Sequence, residues 1–214
     1  MPSSLEMKVE AIKKDLEVQE ERRERLIKET RDIVIYCSKS IVSLHNSEIK
    51  SADQFINKAD ESLKNLKNVA GDDLQKYLSV AEQEFVEAKI FYSIIQNQYS
   101  LNLELNVSDA SYIMGLLDCV GEVKRLIYDK IRLGNSKDVA SLFGVIEDIF
   151  SSIYPLSVYD NLIPGLRKKL DVARILIEDI RAFLTEEKQR SDLTCKFNEI
   201  ESKIRALNGN NSKD

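Results

Sequence analysis

Gln83–Gln96 reads QEFVEAKIFYSIIQ. With Ala81 placed at zero and an advance of about 100° per residue, Phe85, Ala88, Tyr92 and Ile95 fall within about 40° of it on a single apolar arc. That spacing predicts a core helix, and it decides the fold class, because no part of the chain offers the alternation a strand needs. On the same wheel Glu84 lies at about −60°, among the apolar residues, and Glu87 flanks them at about −120°. Glu82, Lys89 and Ser93 fall on the opposite, polar side. An unpaired carboxylate in a core costs several kcal/mol or takes up a proton, so a pair held there needs Arg, Lys or a metal ion nearby.

Outward from this helix the pattern repeats. Ser3 and Ser4 can cap a first helix with apolar positions at Leu5, Val9, Ile12, Leu16, Leu26, Ile33, Cys37 and Leu44. It is expected to run to about His45, with its seam interrupted at Gln19 and Arg23, where it either crosses solvent or meets another molecule. Ser51 or Asp53 can cap a second helix through Phe55, Ala59, Leu63, Leu66 and Val69. Ala70–Asp73 ends it and caps the third, Leu74 to about Ser100. Ser108 caps a fourth, ending at Gly134–Asn135, and a fifth covers Lys137–Ile153. Pro155 and Pro164 make YPLSVYDNLIPG irregular. A sixth runs from about Leu166 to Glu186, and a seventh amphipathic piece from Leu193 to Leu207. The expectation is an all-α, seven-helix bundle with a long first helix, one domain over residues 1–207, and a disordered polar tail over 208–214.

The fourth helix carries its own acidic pair. Asp118 and Glu122 are four residues apart and project together, with Gly115 one turn earlier leaving space above them. Two such pairs on neighbouring helices supply the oxygen ligands that Mg²⁺ prefers, with positions left for water and phosphate. The same spacing is also ordinary on a solvated helix face, where Glu122 and Arg125 make an i,i+3 ion pair.

The 214 residues hold 31 Lys and Arg against 36 Asp and Glu, so the net charge of −5 gives no global field that attracts nucleic acid. Any such contact must be local. Arg22, Arg23, Arg25, Lys28 and Arg31 cluster on the first helix, interleaved with Glu20, Glu21, Glu24, Glu29 and Asp32, which fits either phosphate contact or a solvated ion-paired helix. Arg125 fits phosphate contact or its pair with Glu122. Cys37, Cys119 and Cys195 match neither a disulfide framework nor a zinc spacing, and read as small packers in a reducing compartment. The single histidine, His45, excludes two-histidine acid–base chemistry within one chain and reads as a C-terminal helix cap. Phe91 and Tyr92 read as core, with base stacking as the alternative. With no apolar leader in the first 25 residues and no run of 18 apolar residues, a soluble, cytoplasmic protein without a membrane partner is expected.

Four segments together, RERLIKETRDIVIYCSKSIVSLH (23–45), QEFVEA (83–88), SYIMGLLDCVGEVKRLIYDKIRLGN (111–135) and YDNLIPGLRKKLDVARILIEDIRAFL (159–184), resemble the translin and translin-associated factor X (TRAX) family, on its TRAX-like branch. The ordered set carries the resemblance, since none of the four is a strong short motif. It implies a seven-helix fold assembled into closed octameric shells around single-stranded RNA or DNA, here a homo-octamer of the archaeal type. It also implies a metal-dependent endoribonuclease using Mg²⁺ or Mn²⁺, in which the family's acidic ligands fall on Glu84, Glu87 and Asp118, with Glu122 as a fourth acidic neighbour. The alternatives are a binding shell of translin type without catalysis and a helical scaffold without nucleic acid.

Overall fold

The computed structural model describes residues 3–99 and 101–210, with the side chains of 206–210 left aside. Six α-helices and two short 3-10 turns make up the described chain. These are α1 (Ser4–His45), α2 (Ile49–Ala70), α3 (Ser79–Ile95), α4 (Asp109–Arg132), α5 (Val139–Ile153) and α6 (Leu166–Asn210), with 3-10 turns at Gln75–Tyr77 and Tyr154–Tyr159. No strand occurs among the described residues.

Where a helix end is written in local chemistry, the expected boundary holds. The Ser3 hydroxyl accepts from the Glu6 N–H while the Glu6 side chain accepts from the Ser3 N–H, a reciprocal capping box that starts α1. Ser108 caps α4 by accepting from the Ser111 N–H. Elsewhere boundaries differ. Helix α2 begins at Ile49, before either Ser51 or Asp53, with Glu48 at the N-cap making no side-chain cap bond. The third helix starts at Ser79, because the residues after Gly71 first form a 3-10 turn, and it ends at Ile95. The sixth and seventh expected helices are one continuous α6 of 45 residues. The polar stretch between them lacks apolar residues but also lacks Gly and Pro, and good helix formers carry the helix across. Of the tail expected to be disordered, 208–214, α6 includes 208–210, and 211–214 lie outside the described residues.

Helix α3 is the centre of the bundle. Ala81, Phe85, Val86, Ala88, Ile90, Phe91 and Ile94 are all buried, together with Glu82 and Ser93, so the helix is covered almost all round by α1, α2 and α4. The polar face expected at Glu82 and Ser93 is therefore inside the protein, at 4% and 3% exposure. Helices α5 and α6 close the far side of α4 through Leu142, Ile146, Ile149, Leu170, Ala173, Ile177 and Ile180. By length and composition Val139–Tyr159 would suffice to cross a membrane, yet its Val139, Leu142, Ile146, Ile149 and Ile153 positions are core of this bundle.

Two long arms leave the bundle. Residues 4–18 of α1 and 188–205 of α6 are exposed on every side. Lys67, Glu82 and Ser108 join the end of α2 to the starts of α3 and α4, and α1 enters at that end, where Arg22 meets Val69 and Ala70. Helix α6 runs alongside α4, with Lys124 at Asp179 and the Tyr128 ring 4.6 Å from that of Phe183, and leaves at the opposite end.

Candidate acidic site between α3 and α4

Close approach of two helices makes this site. A Cβ built on Gly115 would lie 2.6 Å from the Gln83 carbonyl oxygen and 2.7 Å from the Val86 Cβ. Gly115 is thus the point where α4 lies against α3, and the space expected above the acidic pair is instead filled by α3's backbone. The contact brings Glu84 and Glu87 of α3 beside Asp118 and Glu122 of α4. Glu84 and Glu87 stay partly exposed, in line with the exposed Val80 at steps of four and three, as do Ser79, Gln83, Lys89, Tyr92 and Ile95 elsewhere on α3.

Glu87 shows what this environment does. Burial first, then the charges of Glu84, Asp118 and Glu122, push its carboxyl up to about 8 from an ordinary 4.5, against a smaller opposing pull from Lys169. Glu84 is raised in the same direction by burial and by Asp118. No hydrogen-bond donor contributes to either group. Cys37 of α1 and Cys119 of α4 lie close enough to feel these carboxylates, and burial with that negative charge pushes both thiols up. They are buried, as the packing reading expects; Cys195 on the α6 arm is exposed and packs nothing.

The α4 pair is engaged differently. Asp118 accepts from the Lys169 ammonium, which α6 sends across the groove and which also donates to Gln83 Oε1 and the Met114 carbonyl, each at 3.3 Å. Glu122 Oε2 lies 2.6 Å from Nε2 of His45, a ring only 3% exposed. The His45 ring sits 4.9 Å from Phe91, and its Nδ1 is buried without a partner. His45 ends α1 as expected, but its side chain ties α1 to α4 at Glu122 and does not cap its own helix. Arg125 reaches Glu122 only loosely, at 4.0 Å.

Glu84, Glu87, Asp118 and Glu122 share one neighbourhood without forming a coordination sphere. Among the described residues no three His, Cys, Asp or Glu side chains are disposed to hold a metal ion as they stand. The chemistry of the donor set nevertheless fits a hard divalent cation, because it consists of carboxylate oxygens, two of them without a donor and raised in pKa by burial and by neighbouring carboxylates. Lys169 fills the counter-charge role at Asp118. The sequence reading passed over Lys169, although the signal was there: it sits one turn after Leu166 and one before Ala173, a lysine in a core register of α6. It passed over Glu82 as well, whose buried carboxylate lies 2.9 Å from Lys67 Nζ and accepts from the N–H and hydroxyl of Ser108.

The basic run on α1 separates into three kinds. Arg22 is spent on the fold, donating to the carbonyls of Val69 and Ala70 and pairing with Asp73 at 2.5 Å. Arg23 donates to Tyr77 Oη and Glu20, and Arg25 pairs with Glu29 at 2.7 Å. Lys28 and Arg31 are exposed and carry no ion pair among the described residues. Phe91 is fully buried, and burial with the Asp53 carboxylate raises the half-buried Tyr92 hydroxyl, so both aromatic residues belong to the core.

Residues 21–183 match the model of the Translin family. An uncharacterized Methanocaldococcus jannaschii protein, MJ0175, is 32% identical over 181 residues, covering 80% of this chain and 80% of that one. The fold superposes on AfC3PO in its duplex RNA complex with a TM-score of 0.77 at 32% identity, covering 82% of this chain and 93% of that one. The crystal structure of AfC3PO gives the same TM-score at 33% identity, with 82% and 94% covered. Apo-NeC3PO, at 20% identity, a TM-score of 0.65 and 86% and 97% coverage, shares the fold.

Proposed function

The chain belongs to the translin family, and from that premise we propose that it is a metal-dependent endoribonuclease, cleaving single-stranded RNA inside a closed homo-oligomeric shell. The observation that carries the reading is the pair Glu84 and Glu87: half-buried, donor-free, raised in pKa, and beside two further carboxylates from α4. A structural role would give such groups partners, as Glu82 has; a cation-binding role explains why they have none. The similarity to AfC3PO, solved with duplex RNA, supports RNA as the ligand class.

Glu84, Glu87 and Asp118 would hold one or two Mg²⁺ or Mn²⁺ ions. Such an ion, when bound, polarises a phosphate and lowers the pKa of a water enough for in-line attack. Asp118, now paired with the Lys169 ammonium, would be the α4 carboxylate that holds such an ion, and Lys169 would then be available to pair with a phosphate oxygen at the groove. Glu122 is oriented by the His45 Nε2–H and steadies the site from the α4 side. Cys37, Cys119 and Phe91 keep the floor apolar, which strengthens the electrostatics above it. Lys28 and Arg31, exposed on α1, are the cations of the run that remain for RNA phosphates.

A second reading, a shell that binds RNA without cutting it, draws on the Lys169–Asp118 ion pair, which already neutralises part of the acidic set. One assay separates the two. Labelled single-stranded RNA is incubated with the protein in Mg²⁺ or in EDTA. Cleavage is expected in Mg²⁺ alone, falling by on the order of 10²-fold or more in Glu87→Ala with unchanged oligomer mass. Cleavage that survives in EDTA or in Glu87→Ala overturns the nuclease reading, and RNA retained intact under all conditions supports the binding shell. A gel shift absent even at low salt would exclude both.

A further inference from the structure

The α1 arm carries a stripe that the fold leaves uncovered. Leu5, Val9, Ile12 and Leu16 recur at steps of four, three and four, and each is about half exposed or more. In heptad terms they are d, a, d and a positions, and the same register continues into the bundle through Leu26, Ile33, Cys37 and Leu44, where it is core. The capping box at Ser3 and Glu6 holds the arm helical to its tip. The arm lies before the residues 21–183 that match the family model.

The charges flanking the stripe select its occupant. Lys8 and Asp15 stand at g positions, Glu6, Lys13 and Glu20 at e positions. Parallel pairing of two α1 arms would set Lys8 against Lys13 and Asp15 against Glu20, which repels at every step. Against the stripe of the α6 arm (Leu193, Phe197, Ile200, Ile204), antiparallel pairing sets Lys8 against Lys203 and Glu6 against Glu201, with only Asp15 against Lys196 attracting, and parallel pairing opposes the attraction of Lys8 to Glu201 and Glu20 to Lys203 with Lys13 against Lys196. Antiparallel pairing of two α1 arms, with Leu5 over Leu16 and Val9 over Ile12, sets Lys8 against Asp15 and Glu6 against Lys13, each twice. Every flanking charge in the four apolar layers then meets its opposite.

We infer that the α1 arm docks on the α1 arm of a second copy of this chain, as a two-fold antiparallel coiled coil over residues 5–16. Such a contact is isologous and closed, so it joins copies in pairs and does not propagate. Four layers are few for an isolated coiled coil. Because the arm is already helical, and because copies held in any larger assembly meet at high effective concentration, the ordering cost is small.

The test is disulfide trapping in the full chain, in a Cys195→Ser background that leaves only the buried Cys37 and Cys119. Val9→Cys and Ile12→Cys chains are co-expressed and oxidised mildly. Antiparallel register predicts a covalent dimer from the mixed chains and almost none from Val9→Cys alone, whose two thiols fall in different layers. Adding Lys8→Glu and Lys13→Glu to both chains should cut trapping by about tenfold, and restoring opposite charge with Glu6→Lys and Asp15→Lys should recover it. Trapping of Val9→Cys with itself as efficiently as with Ile12→Cys, trapping indifferent to the charge swap, or no mixed dimer in folded protein would each overturn the pairing. None of these readouts depends on RNA or metal.

Discussion

Helix α3 carries two kinds of glutamate five residues apart, Glu82 and Glu87, and they behave oppositely. Burial acts to raise the pKa of Glu82, but Lys67, the Ser108 N–H and the hydroxyls of Ser108 and Ser111 more than offset it, leaving the carboxyl below its ordinary range. Burial raises Glu87 too, and there three further carboxylates add to the rise while Lys169 offsets only a small part of it. The same residue type on one helix is in one case a buried joint holding three helices and in the other a half-buried carboxyl without a donor. The difference marks which carboxylates build the bundle and which are left for a ligand.

The largest effect expected from breaking this comparison is on Glu82. Glu82→Ala leaves the half-buried Lys67 with Asn106 as its only partner among the described residues and α4 without its second cap contact, and should lower unfolding stability by about 3 kcal/mol, measured by urea denaturation. Its oligomeric mass and RNA affinity, per folded molecule, should change little.

Glu87 should show the reverse sign. Its folded pKa of about 8 lies above the ordinary 4.5, so the folded state holds a proton that the unfolded state has lost across that window. Without divalent cation, this group contributes stability below pH 4.5 that is lost progressively up to about pH 8. Glu82, with a lowered pKa, contributes stability above the ordinary carboxylate range that is lost as pH falls through its folded value. Glu87→Gln should therefore be more stable than the parent at pH 8, by roughly 1–3 kcal/mol, and indistinguishable from it near pH 4. Urea midpoints at the two pH values check both signs; equal midpoints at pH 8 would mean Glu87 already has a partner.

A smaller effect is expected on α1. Replacing Lys28 and Arg31 together by Ala should weaken RNA binding at low salt and flatten the salt dependence of affinity by about 0.7 per lost phosphate contact. Arg22→Ala should instead lower stability, since its donors serve Val69, Ala70 and Asp73.

How far the sequence carried depended on whether the cause was local. The starts of α1 and α4 were legible because Ser3 with Glu6, and Ser108, act within one turn of themselves. The merging of the last two helices was not, because a break was inferred from missing apolar residues; Arg190 instead pairs with Glu186 and Glu187 across that stretch and keeps it helical. Periodicity put Glu84 and Glu87 on the inward side of α3; they are half-buried beside α4, less covered than Glu82 on the side expected to be wet. It could not place Glu82, since a helix wheel assumes one wet face and α3 has almost none. Gly115 looked like room and is a contact, because what fills a glycine's space comes from another helix. The partners of Asp118 and Glu122, Lys169 and His45, lie 51 and 77 residues away and were beyond any spacing argument.

The account turns on whether Glu84, Glu87 and Asp118 take a divalent cation, and Mn²⁺ titration calorimetry at pH 7 in two buffers of different ionisation enthalpy tests that most directly. Wild type should bind Mn²⁺ and release about one proton per ion, because Glu87 must lose its proton to become a ligand, while Glu87→Gln should bind far more weakly and release none. Binding of equal strength and equal proton release in Glu87→Gln, or no binding to the wild type at millimolar Mn²⁺, would contradict it.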